Sequence, residues 1–183
     1  MPLFQYYVAS TIDGFIASPE DDLGWLLQFD RVEGVSGSYE SFFAGVGAIV
    51  MGGATYRWLL EHESGKWPYP DHPCWVFTRH EYLAPTGANV TFVRGDVREF
   101  APDLVAGAGG KNVWLVGGGD LVAQFADAGL LDEMIVTIIP VVLGAGKRLL
   151  PLKGPTAPLE LVSSRILGGA AAELHYRMPR KGA

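Results

Sequence analysis

Apolar positions along this chain come in short, dense runs, and glycine- or proline-bearing breaks separate them. Eight runs have the length and the β-branched or aromatic character of strands: residues 3–10, 48–51 with Val46 before it, 74–78, 89–93, 112–116, 132–142, 159–167 and 171–178. Helical patterns lie between them. One covers 36–44 and opens on a serine placed as an N-cap. Another leaves the turn Gly52-Gly53 and runs to about Glu61. A third covers 97–106, weakened by Pro102, and a fourth covers 121–128. Strands alternate with helices as far as Ala128, and strands alone follow. That order predicts an α/β fold: a mixed, mainly parallel central sheet of about eight strands, helices on both faces, and an antiparallel C-terminal hairpin across Gly168-Gly169. The whole chain reads as one domain, 1–183.

The stretch KNVWLVGGGDLVAQF, 111–125, carries the clearest chemical signal. A buried strand runs into Gly117, Gly118 and Gly119, and a helix begins at about Asp120. Glycines let backbone approach a diphosphate, and the first turn of a helix leaves N–H groups unpaired and favours an anion. IVMGGATY repeats this grammar: apolar strand, Gly52-Gly53, then a helix start with Thr55. A third strand ends at Thr78-Arg79. In sheets of this kind ligands sit beyond the carboxyl ends of the strands, so these three turns belong on one rim.

Composition narrows the class. The chain has 183 residues, nearly half of them apolar and 19% charged, with net charge -6. That balance excludes a general nucleic-acid binder, which would show a basic face. The single cysteine, Cys74, allows no internal disulfide. No apolar run approaches the roughly 20 residues that span a membrane, and the N-terminus lacks the basic region of a signal peptide. A cytoplasmic protein is expected, without nucleic-acid or membrane partners and without a bound metal.

VASTIDGFIA, IVMGGATY, VFTR, VWLVGGGDLVAQF and PVVLGAGKRLLP, in this order, resemble the dihydrofolate-reductase-like superfamily. Within it the chain is most similar to the riboflavin-biosynthesis reductase branch, the RibD C-terminal domain, as a stand-alone member without the deaminase half. The resemblance covers nearly the whole chain and implies a three-layer αβα fold, NADPH as cofactor, and a homodimer. It implies that Ala9, Ser10 and Ile16 lie beside the nicotinamide, that Gly52, Gly53 and Thr55 meet the cofactor phosphates, and that Thr78 and Arg79 meet the adenosine 2′-phosphate. Val116, Gly117, Gly118, Gly119, Leu121 and Val122 should wrap the diphosphate and nicotinamide side. A guanidinium is the natural partner of a phosphate dianion, so Arg79 favours NADPH over NADH. The chain departs from the pattern at Gly53, where family members often carry arginine. It also has Ser36 to Ser38 where dihydrofolate reductases place a carboxylate facing the pterin.

The implied reaction is hydride transfer to a pyrimidine- or pterin-like molecule, of the 5-amino-6-(5-phosphoribosylamino)uracil reductase type. Asp13 is the acid nearest the expected nicotinamide edge and the first candidate for proton relay or substrate positioning. Asp before Gly is also a common turn former. Glu40 is the second candidate. Trp25 and Phe43, with Gly144 of the loop 143–147, are candidates for the substrate wall, and Lys147 and Arg148 for a substrate phosphate. The alternatives are a nucleotide-binding module without turnover and a dihydrofolate reductase proper.

Overall fold

The computed structural model describes residues 1–29, 33–62 and 66–179. Its frame is an eight-stranded sheet in the order β5-β4-β3-β6-β1-β7-β10-β9. The strands are β1 (Phe4–Thr11), β3 (Val46–Gly52), β4 (Cys74–Phe77), β5 (Val90–Val93), β6 (Asn112–Gly117), β7 (Glu133–Ile139), β9 (Glu160–Leu167) and β10 (Ala171–Arg177). β1, β3, β4, β5, β6 and β7 pair in parallel, and β10 runs antiparallel to both β7 and β9. Two short strands, β2 (Phe15–Ala17) and β8 (Lys147–Arg148), form a separate antiparallel pair. This is the mixed α/β arrangement the hydrophobic pattern predicts.

Helices α2 (Val35–Phe43) and α3 (Gly53–His62) cover one face, and α4 (Val97–Gly107) and α5 (Gly119–Ala128) cover the other. Alternation along the strands feeds both layers. Phe4 and Tyr6 of β1 pack toward α5, where Phe4 meets Phe125 at 5.6 Å between ring centroids. Tyr7 points the other way and stacks on Phe42 of α2 at 4.4 Å. Each fully buried large side chain, such as Tyr56, Leu104 or Phe125, contributes about 1.5–3 kcal/mol by leaving water. A third cluster gathers Trp25 of the short helix α1 (Gly24–Leu27) with Ile139, Leu167 and Ala171, above α2's end of the sheet.

Two local expectations are corrected, and the helix expected over 97–106 forms despite its proline. α2 begins after Gly34, whose φ of 87° starts the turn, and no side chain caps it. The expected serine cap is absent because the helix opens one residue earlier, which places Ser36 inside its first turn. β7 stops at Ile139, short of Val142, since Pro140 has no N–H to continue the ladder. α4 accommodates Pro102, held by buried Val97 and Leu104 and by the Asp96 carboxylate, which accepts from the Arg98 N–H at 2.9 Å. The expected loop from Glu63 begins outside the described residues.

Candidate functional site

The carboxyl ends of β1, β3, β4 and β6 bring the three expected turns together. Gly52 ends β3, and a Cβ placed there would lie 3.7 Å from the Gly118 nitrogen. A Cβ on Gly117 would lie 3.6 Å from Thr55 Oγ1, so Thr55, in the first turn of α3, faces the glycine turn of β6. Gly53 abuts the third turn: a Cβ there would stand 2.9 Å from Thr78 Oγ1. A side chain at position 53 would require the Thr78 hydroxyl to move aside, which gives the departure from the family pattern a packing correlate. The peptide between Gly117 and Gly118 is cis, and Gly118 faces open space.

The residues of this rim divide by what they can offer a ligand. Gly118 and the start of α3 present open backbone. Gly119 does not: a Cβ there would strike the Arg148 carbonyl oxygen at 2.2 Å and that of Leu149 at 2.9 Å. Close packing of α5 on β8 therefore requires glycine at this position. Leu121 and Val122 are core side chains, and their N–H groups close onto the Gly118 carbonyl at 3.0 and 3.2 Å. Those two N–H groups are thus already bonded within the turn. Asp120 in the first turn of α5 adds a negative charge beside that helix start, so the α3 terminus is the better anion site. Val116 packs under α2 and α3 as part of the core.

Thr78 is folded into its own turn, its hydroxyl accepting the His80 N–H at 3.0 Å. Arg79 follows it, exposed. Parallel pairing of Phe77 with Val93 sets Arg94 beside Thr78 at the end of β5. That second guanidinium went unnoticed in the sequence, although FVRGD repeats the strand-then-arginine pattern of VFTR.

On β1, Ala9 faces the α2 side. Ser10 faces the other way, fully buried, with its hydroxyl on the Thr11 carbonyl at 3.1 Å, so its side chain is not presented to a cofactor. Ile16 is half-buried at the centre of β2.

Asp13 has structural work. One carboxylate oxygen accepts from Thr11 Oγ1 at 2.6 Å and from the Leu143 N–H at 3.2 Å, and the other accepts from the Gly144 N–H at 2.7 Å. These bonds, led by Thr11, hold its carboxyl below the usual carboxylate range. A carboxylate clamped in this way is a poor proton relay, and Gly144 is its loop partner. Glu40 lies exposed on the outer side of α2, away from the sheet. Trp25 is buried in the third cluster as an anchor. Phe43 sits in an aromatic nest with Tyr39, Tyr69, His72 and Trp114 near the start of β6. Trp25 packs in a cluster that includes Ala9 and Ile139, at the carboxyl ends of β1 and β7, while Phe43 lies apart from it. Lys147 pairs with Asp21 at 3.7 Å, Arg57 reaches the same carboxylate at 3.6 Å, and Arg148 lies over the Phe15 ring.

A polar cluster below the rim was missed. Tyr7, Ser38, Arg165 and Glu173 come from β1, α2, β9 and β10. Glu173 is buried and accepts from Arg165 Nε at 2.8 Å and Nη2 at 2.5 Å, and from the Ser38 hydroxyl. Ser38 in turn accepts from Arg165 Nη2 at 2.8 Å and Tyr7 Oη at 3.2 Å. Burial first, then the neighbouring Glu173 charge, pushes the Tyr7 hydroxyl above its ordinary range, against the opposing effects of Ser38 and Arg165. It stays protonated and donates. The signal was available: a hairpin centred on Gly168-Gly169 pairs Leu167 with Ala171 and, two steps back, Arg165 with Glu173.

A mainly parallel sheet with an antiparallel edge, glycine turns converging at its carboxyl end, and helices on both faces define an α/β domain of the dihydrofolate-reductase-like fold. Residues 2–171 match the RibD C-terminal domain, and the chain belongs to that family. It is 35% identical over 170 residues to the uncharacterized protein YwjB of Bacillus subtilis (strain 168), covering 93% of this chain and 94% of that one. Among solved structures it is similar to a protein of Shewanella sp. PV-4 assigned to riboflavin biosynthesis, with TM-score 0.84, 25% identity, and coverage of 97% of this chain and 99% of that one. The deaminase/5-amino-6-(5-phosphoribosylamino)uracil reductase of Thermotoga maritima shares the fold at TM-score 0.69 and 18% identity, over 97% of this chain and 57% of that one. Dihydrofolate reductase from Enterococcus faecalis, complexed with NADP(H), shares it at TM-score 0.62 and 14% identity over 96% of each chain.

Proposed function

We propose that the protein is an NADPH-dependent reductase of the riboflavin-biosynthesis type, working on a pyrimidine- or pterin-like small molecule in the cytoplasm. The observation that carries this reading is the meeting of Gly52, Thr55, Gly117 and Gly118 on one rim, with Gly53 against Thr78 beside it. Bound there, the cofactor would supply a hydride from its nicotinamide ring. The chain's own part is to hold and orient. The α3 terminus and Gly118 offer N–H groups and clearance to a diphosphate. Arg79 and Arg94, ending neighbouring strands, offer guanidinium groups to a 2′-phosphate. Ala9 offers a flat, small surface against which an aromatic ring can lie.

The same reading includes a homodimer. β9 is an edge strand with Leu161, Val162 and Ile166 exposed, and an unpaired edge carrying apolar side chains favours a second copy. Light scattering at micromolar concentration should give the mass of two chains, and the mass of one would remove the dimer.

The central test is titration with NADPH and NADH while following tryptophan emission and melting temperature. Turnover is then assayed with 5-amino-6-(5-phosphoribosylamino)uracil by loss of reduced-nicotinamide absorbance. NADPH should bind more tightly than NADH and should be consumed in proportion to substrate. Absence of any binding would overturn the reading. Binding without oxidation of NADPH would leave the non-catalytic module in its place.

A further inference from the structure

The register of four strands sets one row of side chains across the α2 face: Ala9 on β1, Thr137 on β7, Glu173 on β10 and Arg165 on β9. Directly paired residues point to the same side of a sheet. Two strand spacings separate Ala9 from Glu173, about 10 Å. That span suits a nicotinamide ring over Ala9 and a second planar ring reaching toward Glu173. Glu173 also lines a cavity of about 340 Å³ between α2 and the β9–β10 hairpin, floored by Tyr7 and Ile135. That cavity runs from Glu173 toward Gln5 and Asn112 at the amino ends of β1 and β6, whereas Thr137 and Ala9 lie on the other side of the carboxylate, along the row itself.

Its bonding is specific. A carboxylate offers about four acceptor positions. Glu173 uses two on Oε1 for Arg165 and one on Oε2 for Ser38. Oε2 keeps one, and the two bonds to Arg165 prevent the group from turning away. Next to it in the row, the buried Thr137 makes no side-chain hydrogen bond among the described residues. A buried carboxylate with an acceptor to spare, beside an uncommitted hydroxyl, selects a ligand edge that carries N–H donors and repels an anionic one.

We infer that Glu173, with Thr137, is the substrate-orienting pair of this site: it accepts hydrogen bonds from the N–H-bearing edge of a neutral or cationic heterocycle whose reducible end lies toward Ala9. This assignment rests on the proposed reductase reading for its orientation, but its binding chemistry is testable without the cofactor. The sequence candidates for this role, Asp13 and Glu40, are a loop clamp and a surface residue, and the acid that faces the groove comes from the last strand.

The test uses 2,4-diaminopyrimidine as a donor-edge probe and 1,3-dimethyluracil as a probe of similar shape without N–H donors. Each is titrated calorimetrically into the full chain, with and without NADPH. The diaminopyrimidine should bind the wild type at least tenfold more tightly than the dimethylated probe. Glu173→Gln should erase that preference while leaving the NADPH dissociation constant within twofold. Thr137→Val, which keeps the Arg165–Glu173–Ser38 bonds, should weaken the diaminopyrimidine two- to fivefold and decides the matter if the glutamine variant does not fold. Equal binding of the two probes to the wild type, or a preference unchanged in Glu173→Gln or in Thr137→Val, overturns the assignment. Loss of NADPH binding with the probe preference intact would instead overturn the reductase reading alone.

Discussion

Gly52 and Gly119 carry the same expectation from sequence, contact with a cofactor diphosphate, and the fold gives them different work. Replacing each by alanine separates the two. At Gly119 the new methyl would fall 2.2 Å from one backbone carbonyl oxygen and 2.9 Å from another. Neither oxygen can rotate aside, so α5 must withdraw from β8 by about 1 Å to restore van der Waals contact, an overpacking cost near the upper end of about 1–3 kcal/mol. Loss of glycine's freedom in the unfolded chain returns at most about 1 kcal/mol. A net loss of about 2 kcal/mol lowers the melting temperature of a chain this size by about 4–8 °C. At Gly52 the methyl would meet its nearest neighbours at 3.7 and 3.8 Å, ordinary contact, and it would stand where the β3 and β6 turns face each other. Gly52→Ala should melt within about 2 °C of wild type by the same scaling, yet bind NADPH at least fivefold more weakly. The assay is a thermal melt without ligand, followed by NADPH titration of both variants at a temperature where both are folded. Wild-type melting of Gly119→Ala would refute the packing of α5 on β8. A stable Gly52→Ala with unchanged NADPH affinity would refute the place given to the diphosphate.

Three further outcomes are expected. Arg79→Ala should weaken NADPH about tenfold and leave NADH unchanged, read by competitive titration. An equal loss for both cofactors would remove Arg79 from the 2′-phosphate. Asp13 has a folded-state pKa held below its unfolded value, so its contribution to stability is present above about pH 4 and is lost as pH falls through the lower folded value. Asp13→Asn should therefore melt below wild type at pH 7, with the gap closing toward pH 3. A variant of unchanged stability that has lost turnover would return Asp13 to the chemistry. Burial pushes the Cys74 thiol up to about 12, so iodoacetamide at pH 8 should leave native protein unlabelled and label it only on unfolding. Rapid labelling of the native chain would show that the β4 layer is open.

The frame was legible because most of the parallel strands are short apolar runs closed by glycine or proline, and because helix and strand periods do not mix until the C-terminal hairpin. The rim was legible for the same reason: VGGG and MGGAT each end a strand and start a helix. What each glycine does was not. Gly118 and Gly119 read alike in the sequence, but one faces open space and the other the carbonyl of Arg148, a contact between segments about thirty residues apart. Leu121 and Val122 follow a glycine turn, yet the helical period points their side chains into the core. Asp13-Gly14 forms its turn as expected, but the partner of its carboxylate, the loop at Leu143 and Gly144, lies 130 positions along the chain. Glu173 draws no notice in the sequence, where it is one charge within the C-terminal hairpin. It became visible only when the hairpin register set it beside Arg165 and under Ser38.

The pairing of β2 with β8, tied at one end by Asp13 and pressed at the other against Gly119, acts as a strap from the first turn of the chain to the start of α5. A change in residues 143–149 is therefore transmitted to the glycine rim, while the β9–β10 hairpin that carries Glu173 stands outside the strap. On the proposed reading, grip on the dinucleotide and choice of the molecule it reduces would be lodged in separate parts of one small fold, and descendants of this chain could alter the second while inheriting the first intact.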